Sequence, residues 1–375
     1  MRLLINCSNL RFGGGKTVGI NILEYFLNHT GHEIILVAPY QCGYEQYESK
    51  LTTLIIVPEK YNSPLKKYAL NNKLLPQIEK EMQPDFVLSL GNVAFPSSGP
   101  QLLLIQFSYL VYPESKVWKK LSWKSYLLLK LMVKNIISHL KYAHYIRLQT
   151  ATMLKRFKQQ FPQYTEVGIV PNSIAITSMR QVKALDLEQL PAKIPLLFLS
   201  KLYPHKNFGI LFEIAAIVKE RKLPFTFSLT IDKNENKESA QFLQQIEQLG
   251  LGDILINKGN IAFEEIPRLY EEHWGLFLPT FLESFSGTYI EALHFGRPVF
   301  TSNFDFAQEV CRSNAYYFDP ENATEIVNVI EDAFKDVGIM QQKIENGKLY
   351  SREVKSWQEI GQDLNTFIEN RNTKN

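Results

Sequence analysis

A chain of 375 residues, 45% hydrophobic and 21% charged, is long enough for two globular domains with separate cores. The mixture is too even for a disordered or fibrous protein, and 41 Lys and Arg against 38 Asp and Glu leave a net charge of only +3. Three scattered cysteines, Cys7, Cys42 and Cys311, give neither a disulfide framework nor a zinc cluster and suit a reducing cytoplasm.

The first predicted strand, Arg2 to Cys7, holds too short an apolar piece for a signal peptide, and polar Asn6-Cys7-Ser8-Asn9 closes it at once. Gly13-Gly14-Gly15 reads as a turn into a helix over Thr17 to Asn28, with Val18, Ile22, Tyr25 and Phe26 inward. With Lys16-Thr17 the triplet looks like the end of a phosphate-binding P-loop, but that pattern needs a glycine where this chain has Leu10. Two readings of it stand: a tight strand-to-helix turn, or direct contact with a ligand. Further strands are expected at Glu33 to Ala38, Leu54 to Pro58, Phe86 to Leu90, Leu102 to Phe107, Tyr145 to Gln149 and Val167 to Pro171. Their alternation with helices implies a doubly wound parallel sheet. No charged residue occurs from Phe86 to Pro113, yet Pro96, Ser97, Ser98, Gly99 and Pro100 divide that run into two buried strands and not a membrane span.

From Ser115 to Thr165 there is no Asp or Glu but eleven Lys and Arg, so the remainder is net negative (30 minus 38, or −8). On one helix, Lys116, Lys119, Lys120, Lys124, Lys130, Lys134 and Lys141 would fall within an arc of about 140°, with Trp123 and Leu127 on the same face. Such a face suits an anionic membrane surface, or else a core helix with a solvated basic side. Nothing in the chain resembles a nucleic-acid-binding motif.

A linker rich in Ser, Thr, Pro and mixed charge, Ser173 to Pro195, places one domain at residues 1–175 and a second at 176–350. The second repeats the alternation, with strands at Leu196 to Leu199, Thr226 to Ile231, Ile254 to Asn257, Leu276 to Leu278, Val299 to Ser302 and Tyr316 to Phe318. Helices are expected over Phe208 to Glu220, Ser239 to Leu249 and Ala323 to Phe334, and Asp232 to Glu238 reads as a surface loop. Residues 351–375 end in an amphipathic helix marked by Trp357, Ile360, Leu364 and Phe367.

Two loops of the second half carry chemistry. Lys201 and Lys206 flank a turn after the apolar run Ile194 to Leu199, where ammonium groups at a strand's carboxyl end would meet phosphate oxygens. Glu283 and Glu291 stand before and inside a helix that ends at Gly296, with Ser284, Ser286, Gly287 and Thr288 between them. Backbone N–H groups at that helix start would cradle a phosphate, and each carboxylate would accept from a pair of sugar hydroxyls. Taken alone, the same spacing also describes a capped helix with two solvent-facing glutamates.

These four residues, with Val170-Pro171-Asn172, Lys258-Gly259-Asn260-Ile261, Glu265-Ile266-Pro267-Arg268-Leu269-Tyr270 and Phe318-Asp319-Pro320, resemble the retaining GT-B-fold glycosyltransferases of family 4. The resemblance is dense from Ile194 to Glu325 and thinner in the amino-terminal half. It implies two Rossmann-like domains facing across a cleft, with the last helix crossing back to the first domain. It also implies transfer of a sugar from a UDP- or GDP-linked donor to an acceptor, with retention and with neither metal nor cofactor; a glycan or lipid-linked glycan as that acceptor is expected from the basic face alone. By the same resemblance Lys201 and Lys206 neutralise the diphosphate, Glu283 orients the sugar, Ser284, Ser286, Gly287 and Thr288 assist the phosphate, and Glu291 holds the ribose. Backbone at Asn260 and Ile261 would meet the base, and Gly13, Gly14 and Gly15 would form a glycine loop facing donor phosphate and acceptor. The expected setting is cytoplasmic, in polysaccharide biosynthesis, and at the inner face of the membrane on that reading of the basic face which has it meet lipid. The chain departs from the family at three positions: Ser286 stands for a frequent glycine, Lys201 for an arginine, and Gln106 for a frequent histidine. Two alternatives are a silent subunit docking on a membrane partner and a nucleotide-sugar epimerase on the same fold.

Overall fold

The computed structural model describes residues 1–174 and 182–372. The expected boundary at 175/176 and the last three residues of the tail lie outside the described residues. The chain forms two compact units: one comprises residues 1–114, 121–173 and the segment from 355 on, the other residues 115–120 and 174–354.

The first unit is built on seven parallel strands, β1 (Arg2–Asn6), β2 (Glu33–Pro39), β3 (Thr53–Val57), β4 (Phe86–Ser89), β5 (Gln101–Ile105), β6 (Tyr145–Leu148) and β7 (Val167–Ile169), in the order β3-β2-β1-β4-β5-β6-β7. Central strands are apolar on both faces because helices cover both; Leu3, Leu4 and Ile5 of β1 are all buried. In register, Leu4 stands between Ile35 of β2 and Val87 of β4. The uncharged run from Phe86 supplies β4 and β5, and no helix among the described residues is long and apolar enough to cross a membrane. The last helix, Trp357–Asn372, belongs to this unit: Ile360, Leu364 and Ile368 share a core with Leu3, Val18, Ile22 and Phe26.

The second unit has six parallel strands, β8 (Ile194–Phe198), β9 (Phe225–Leu229), β10 (Leu255–Asn257), β11 (Gly275–Leu278), β12 (Val299–Ser302) and β13 (Ala315–Phe318), in the order β10-β9-β8-β11-β12-β13. Both sheets therefore wind outward from a central pair, β1 and β4 in one, β8 and β11 in the other. Loops leaving the carboxyl ends of such a pair diverge to opposite faces and leave a crevice that suits a ligand. The expected cut at 350/351 falls inside the helix Val337–Glu353, and the chain rejoins the first unit at Lys355.

The basic stretch corrects the sequence reading. It is not one helix: a short helix, Val117–Lys120, is followed by a break at Leu121-Ser122 and then by a longer helix, Trp123–His139. Ser122 caps the second helix by accepting from the Ser125 N–H, and such a cap starts a new helix. Lys116 and Lys120 both pair with Glu321 of the second unit, to which residues 115–120 belong. The lysine arc from 116 to 141 is thus interrupted. The glycine triplet is also no separate turn, because the first helix runs Gly13–His29, with only Gly13 at positive φ (+67°).

Candidate functional site

The crevice of the second unit is framed by the loops that follow β8 and β11. The β8 loop contains a short turn, Pro204–Lys206, ended by Asn207 in the left-handed region (φ +58°), whose Nδ2 donates to the Pro320 carbonyl at 2.7 Å. The His205 carbonyl accepts twice from the β11 loop, from the Phe281 N–H at 2.7 Å and from the Thr280 hydroxyl at 2.9 Å. These bonds clamp one loop to the other. They set Lys206 Nζ 2.5 Å from Glu283 Oε1, with the two side chains only 13% and 9% exposed. The His205 imidazole, stacked on the Tyr203 ring, is pushed down to about 3 by burial, with Lys206 nearby adding to the effect, so the ring stays neutral and adds no charge.

Lys201 lies nearer the end of β8, and its ammonium pairs with Glu235 Oε1 at 2.5 Å. Glu235 sits beyond β9, in the segment read from sequence as a surface loop. Donating this hydrogen bond to Glu235 raises the Lys201 pKa, and with side chains 43% and 23% exposed the pair is far more accessible than Lys206–Glu283.

Glu291 projects from the helix Gly287–His294 and is half-buried. Its carboxyl is pushed up to about 7 by burial, against the opposing pull of a hydrogen bond from the Tyr270 hydroxyl at 3.4 Å. The same hydroxyl reaches the Thr288 carbonyl at 3.2 Å, which ties Tyr270 to both the start and the middle of the Glu291 helix. Behind them Arg297, 1% exposed, donates Nε to the Tyr270 carbonyl at 2.7 Å, Nη1 to the Phe295 and Gly296 carbonyls, and Nη2 to the Lys183 carbonyl at 2.8 Å.

Ser286 precedes this helix at φ +58°, where a glycine would be unstrained. Its hydroxyl lies 3.0 Å from that of Thr288, and Ser284, Ser286, Gly287 and Thr288 are all partly accessible at the helix start. Asn260 and Ile261 follow Gly259 at the carboxyl end of β10, on the same edge of the sheet as the lysine loop. Gly13, Gly14 and Gly15 belong to the first unit, at the carboxyl end of β1. Gln106, also there, is held by its own bonds: its N–H donates to Asn92 Oδ1 at 2.5 Å and its amide to the Leu90 carbonyl at 3.1 Å.

The structure thus brings Lys206 and Glu283 together and gives Lys201 and Glu291 other partners. Glu235 and Arg297 were given no role from sequence, although Glu235 follows a strand's carboxyl end as the lysines do, and Tyr270 appeared there only as the last residue of a motif. Among the described residues no group of three or more His, Cys, Asp or Glu is placed to hold a metal ion.

Residues 188–350 match the family model described as glycosyl transferases group 1. No curated protein matches the chain in sequence. Among solved structures, sucrose-phosphate synthase from Thermosynechococcus elongatus superposes with a TM-score of 0.76 at 14% identity, covering 100% of both chains. Anabaena HepE in complex with UDP-glucose gives 0.73 at 18% identity, covering 99% of this chain and 100% of its own. WaaG, a glycosyltransferase involved in lipopolysaccharide biosynthesis, gives 0.70 at 15%, covering 98% and 99%. At these identities the likeness is one of fold.

Proposed function

From a chain of GT-B fold whose residues 188–350 match the glycosyl transferases group 1 model, we propose a metal-independent transferase that moves a sugar from a nucleotide diphosphate to a glycan or lipid-linked glycan with retention of configuration. UDP-glucose, held by one of the fold's relatives, is the first donor to test. The observation that carries the reading is the Lys206–Glu283 pair at the point where the second sheet changes direction. An ammonium has three N–H groups, so Lys206 can hold Glu283 and a phosphate oxygen at once, while the carboxylate's remaining lone pairs accept from sugar hydroxyls. As the glycosidic bond lengthens, negative charge grows on the leaving diphosphate, and a buried, pre-positioned cation stabilises that state more than the ground state. Lys201 adds a second cation: its exposed pair with Glu235 is worth little in water, so exchanging the carboxylate for phosphate costs about 1 kcal/mol or less. Glu291 would accept from the ribose hydroxyls, with backbone N–H groups near Ser286 to Thr288 facing the phosphate. Asn260 and Ile261 would meet the base.

The test is donor turnover by purified protein across a panel of UDP- and GDP-linked sugars, read as slow release of free sugar. One donor should be hydrolysed selectively, and Lys206→Ala or Glu283→Ala should lower turnover by roughly 10²–10³-fold. Each single change leaves a buried charge unpaired, so melting curves accompany the assay, and the neutral double variant Lys206→Met/Glu283→Gln should fold normally yet remain inactive. Near-normal turnover in a folded variant would refute the assigned roles.

A further inference from the structure

The helix Trp123–His139 turns an unusual face outward. Only Ile136 and His139 of its residues are buried. Trp123, Leu127 and Leu131, at successive i, i+4 positions, are 72%, 50% and 49% exposed and form one apolar ridge. At about 100° per residue the ridge spans about 80°; Lys134 falls inside that arc, with Lys124 and Lys130 just beyond its edges. The lysines lie along the aromatic rings: Lys124 Nζ is 5.9 Å from the centroid of Trp123, and Lys130 Nζ 5.5 Å from that of Tyr126. Tyr126 and Leu128 widen the exposed apolar surface on either side.

A helix on a soluble domain normally hides its apolar stripe and shows its charges; this one shows both on the same side. We propose that this face lies on an anionic lipid bilayer, with the helix axis in the membrane plane, the Trp123-Leu127-Leu131 ridge below the headgroups and the three ammonium groups among the phosphates. Lysine's long apolar stem lets the charge stay at headgroup depth while the neighbouring leucines go deeper. The charge pattern selects this occupant over a second copy of the chain. With no Asp or Glu from Ser115 to Thr165, two such faces would meet lysine against lysine. Spanning is excluded for this helix by its charges and its length. The proposal narrows the basic surface expected from sequence to one helix, since Lys116 and Lys120 are engaged by Glu321. It stands independently of the donor site.

The experiment is flotation of the full chain with phosphatidylcholine vesicles, with and without about 30 mol% phosphatidylglycerol, at about 0.05 M and about 0.5 M salt. Binding is expected on the anionic vesicles at low salt and should weaken sharply at high salt. Lys124→Glu/Lys130→Glu/Lys134→Glu should lower the partition coefficient roughly a hundredfold, and Trp123→Ser/Leu127→Ser/Leu131→Ser should abolish flotation. Hydrolysis of the donor in solution should be unchanged in both variants, so a failed donor reading would leave flotation intact and the converse. Absence of flotation at low salt, or equal flotation by the wild type and the charge-reversed variant, overturns the proposal. So does recovery of the wild type from vesicles only as a salt-resistant dimer that the serine variant lacks.

Discussion

Glu291 carries a titration into the physiological range. Its carboxyl, raised from the ordinary value of 4.5 to about 7 by burial, is largely protonated at mildly acidic pH. A protonated carboxyl gives up acceptor capacity toward a ribose diol and gains an O–H donor, so donor affinity should fall as pH drops below about 7, up to tenfold per unit, with turnover at saturation less affected. Glu291→Gln should raise KM and flatten that profile; a wild-type KM constant from about pH 5.5 to 8 would sink the ribose assignment. The stability sign runs the other way. A raised carboxyl pKa gives a contribution fully present below 4.5 and lost as pH climbs through 7, so Glu291→Gln should melt higher than wild type at pH 8 and equally at pH 4. Ser286 shows how a departure from a family pattern translates into physics: at φ +58° glycine is the unstrained choice, and serine accepts the strain while gaining a hydroxyl contact with Thr288.

At the scale of elements, the site depends on parts that carry no recognisable motif. Arg297 is buried and donates to carbonyls from three segments, Tyr270, the end of the Glu291 helix, and Lys183, with the charge of Glu271 also acting on it. Burial lowers its pKa to about 10, still well above neutrality, so it remains charged and every carbonyl bond is charge-assisted. Lysine cannot reproduce that fork. Arg297→Lys should cost roughly 2–4 kcal/mol in urea unfolding and raise the donor KM through Tyr270 and Glu291; a loss under about 0.5 kcal/mol would show that the fork is dispensable. From sequence, Arg297 reads only as the residue after a helix-ending glycine. The strands were legible because parallel strands covered on both faces become short, mostly apolar runs, and the thirteen among the described residues stand where those runs do. The break after Lys120 was not legible, because composition is equally basic on both sides of it. What parts the two helices is a Ser122 cap and a carboxylate 205 residues from Lys116. For the same reason the lysine loop could be recognised while the pairing of Lys201 with Glu235 could not: a strand order places those side chains together, and no local pattern states it.

At the scale of the whole molecule, the chain leaves the first sheet, completes the second, and returns to finish the first with Trp357–Asn372. That return has a sharp steric requirement. Gly361 packs so closely on the helix Gly13–His29 that a Cβ there would come within 2.1 Å of the Tyr25 ring. In an isolated helix, replacing glycine by alanine gains about 1 kcal/mol of helix propensity. Here the added methyl must push either the ring or the helix axis away, and overpacking of this kind costs roughly 1–3 kcal/mol, so the clash outweighs the propensity. Gly361→Ala should therefore destabilise, and Gly361→Leu more so. The site of the loss distinguishes this from general damage. Ile360, Leu364 and Ile368 share their core with β1 and the first helix, so amide exchange should quicken over residues 3–26 and 357–370 and stay unchanged in β8, β11 and β12. Faster exchange throughout both sheets would mean that the last helix supports the chain as a whole; no change anywhere would mean that Tyr25 swings clear and the close approach carries no energy.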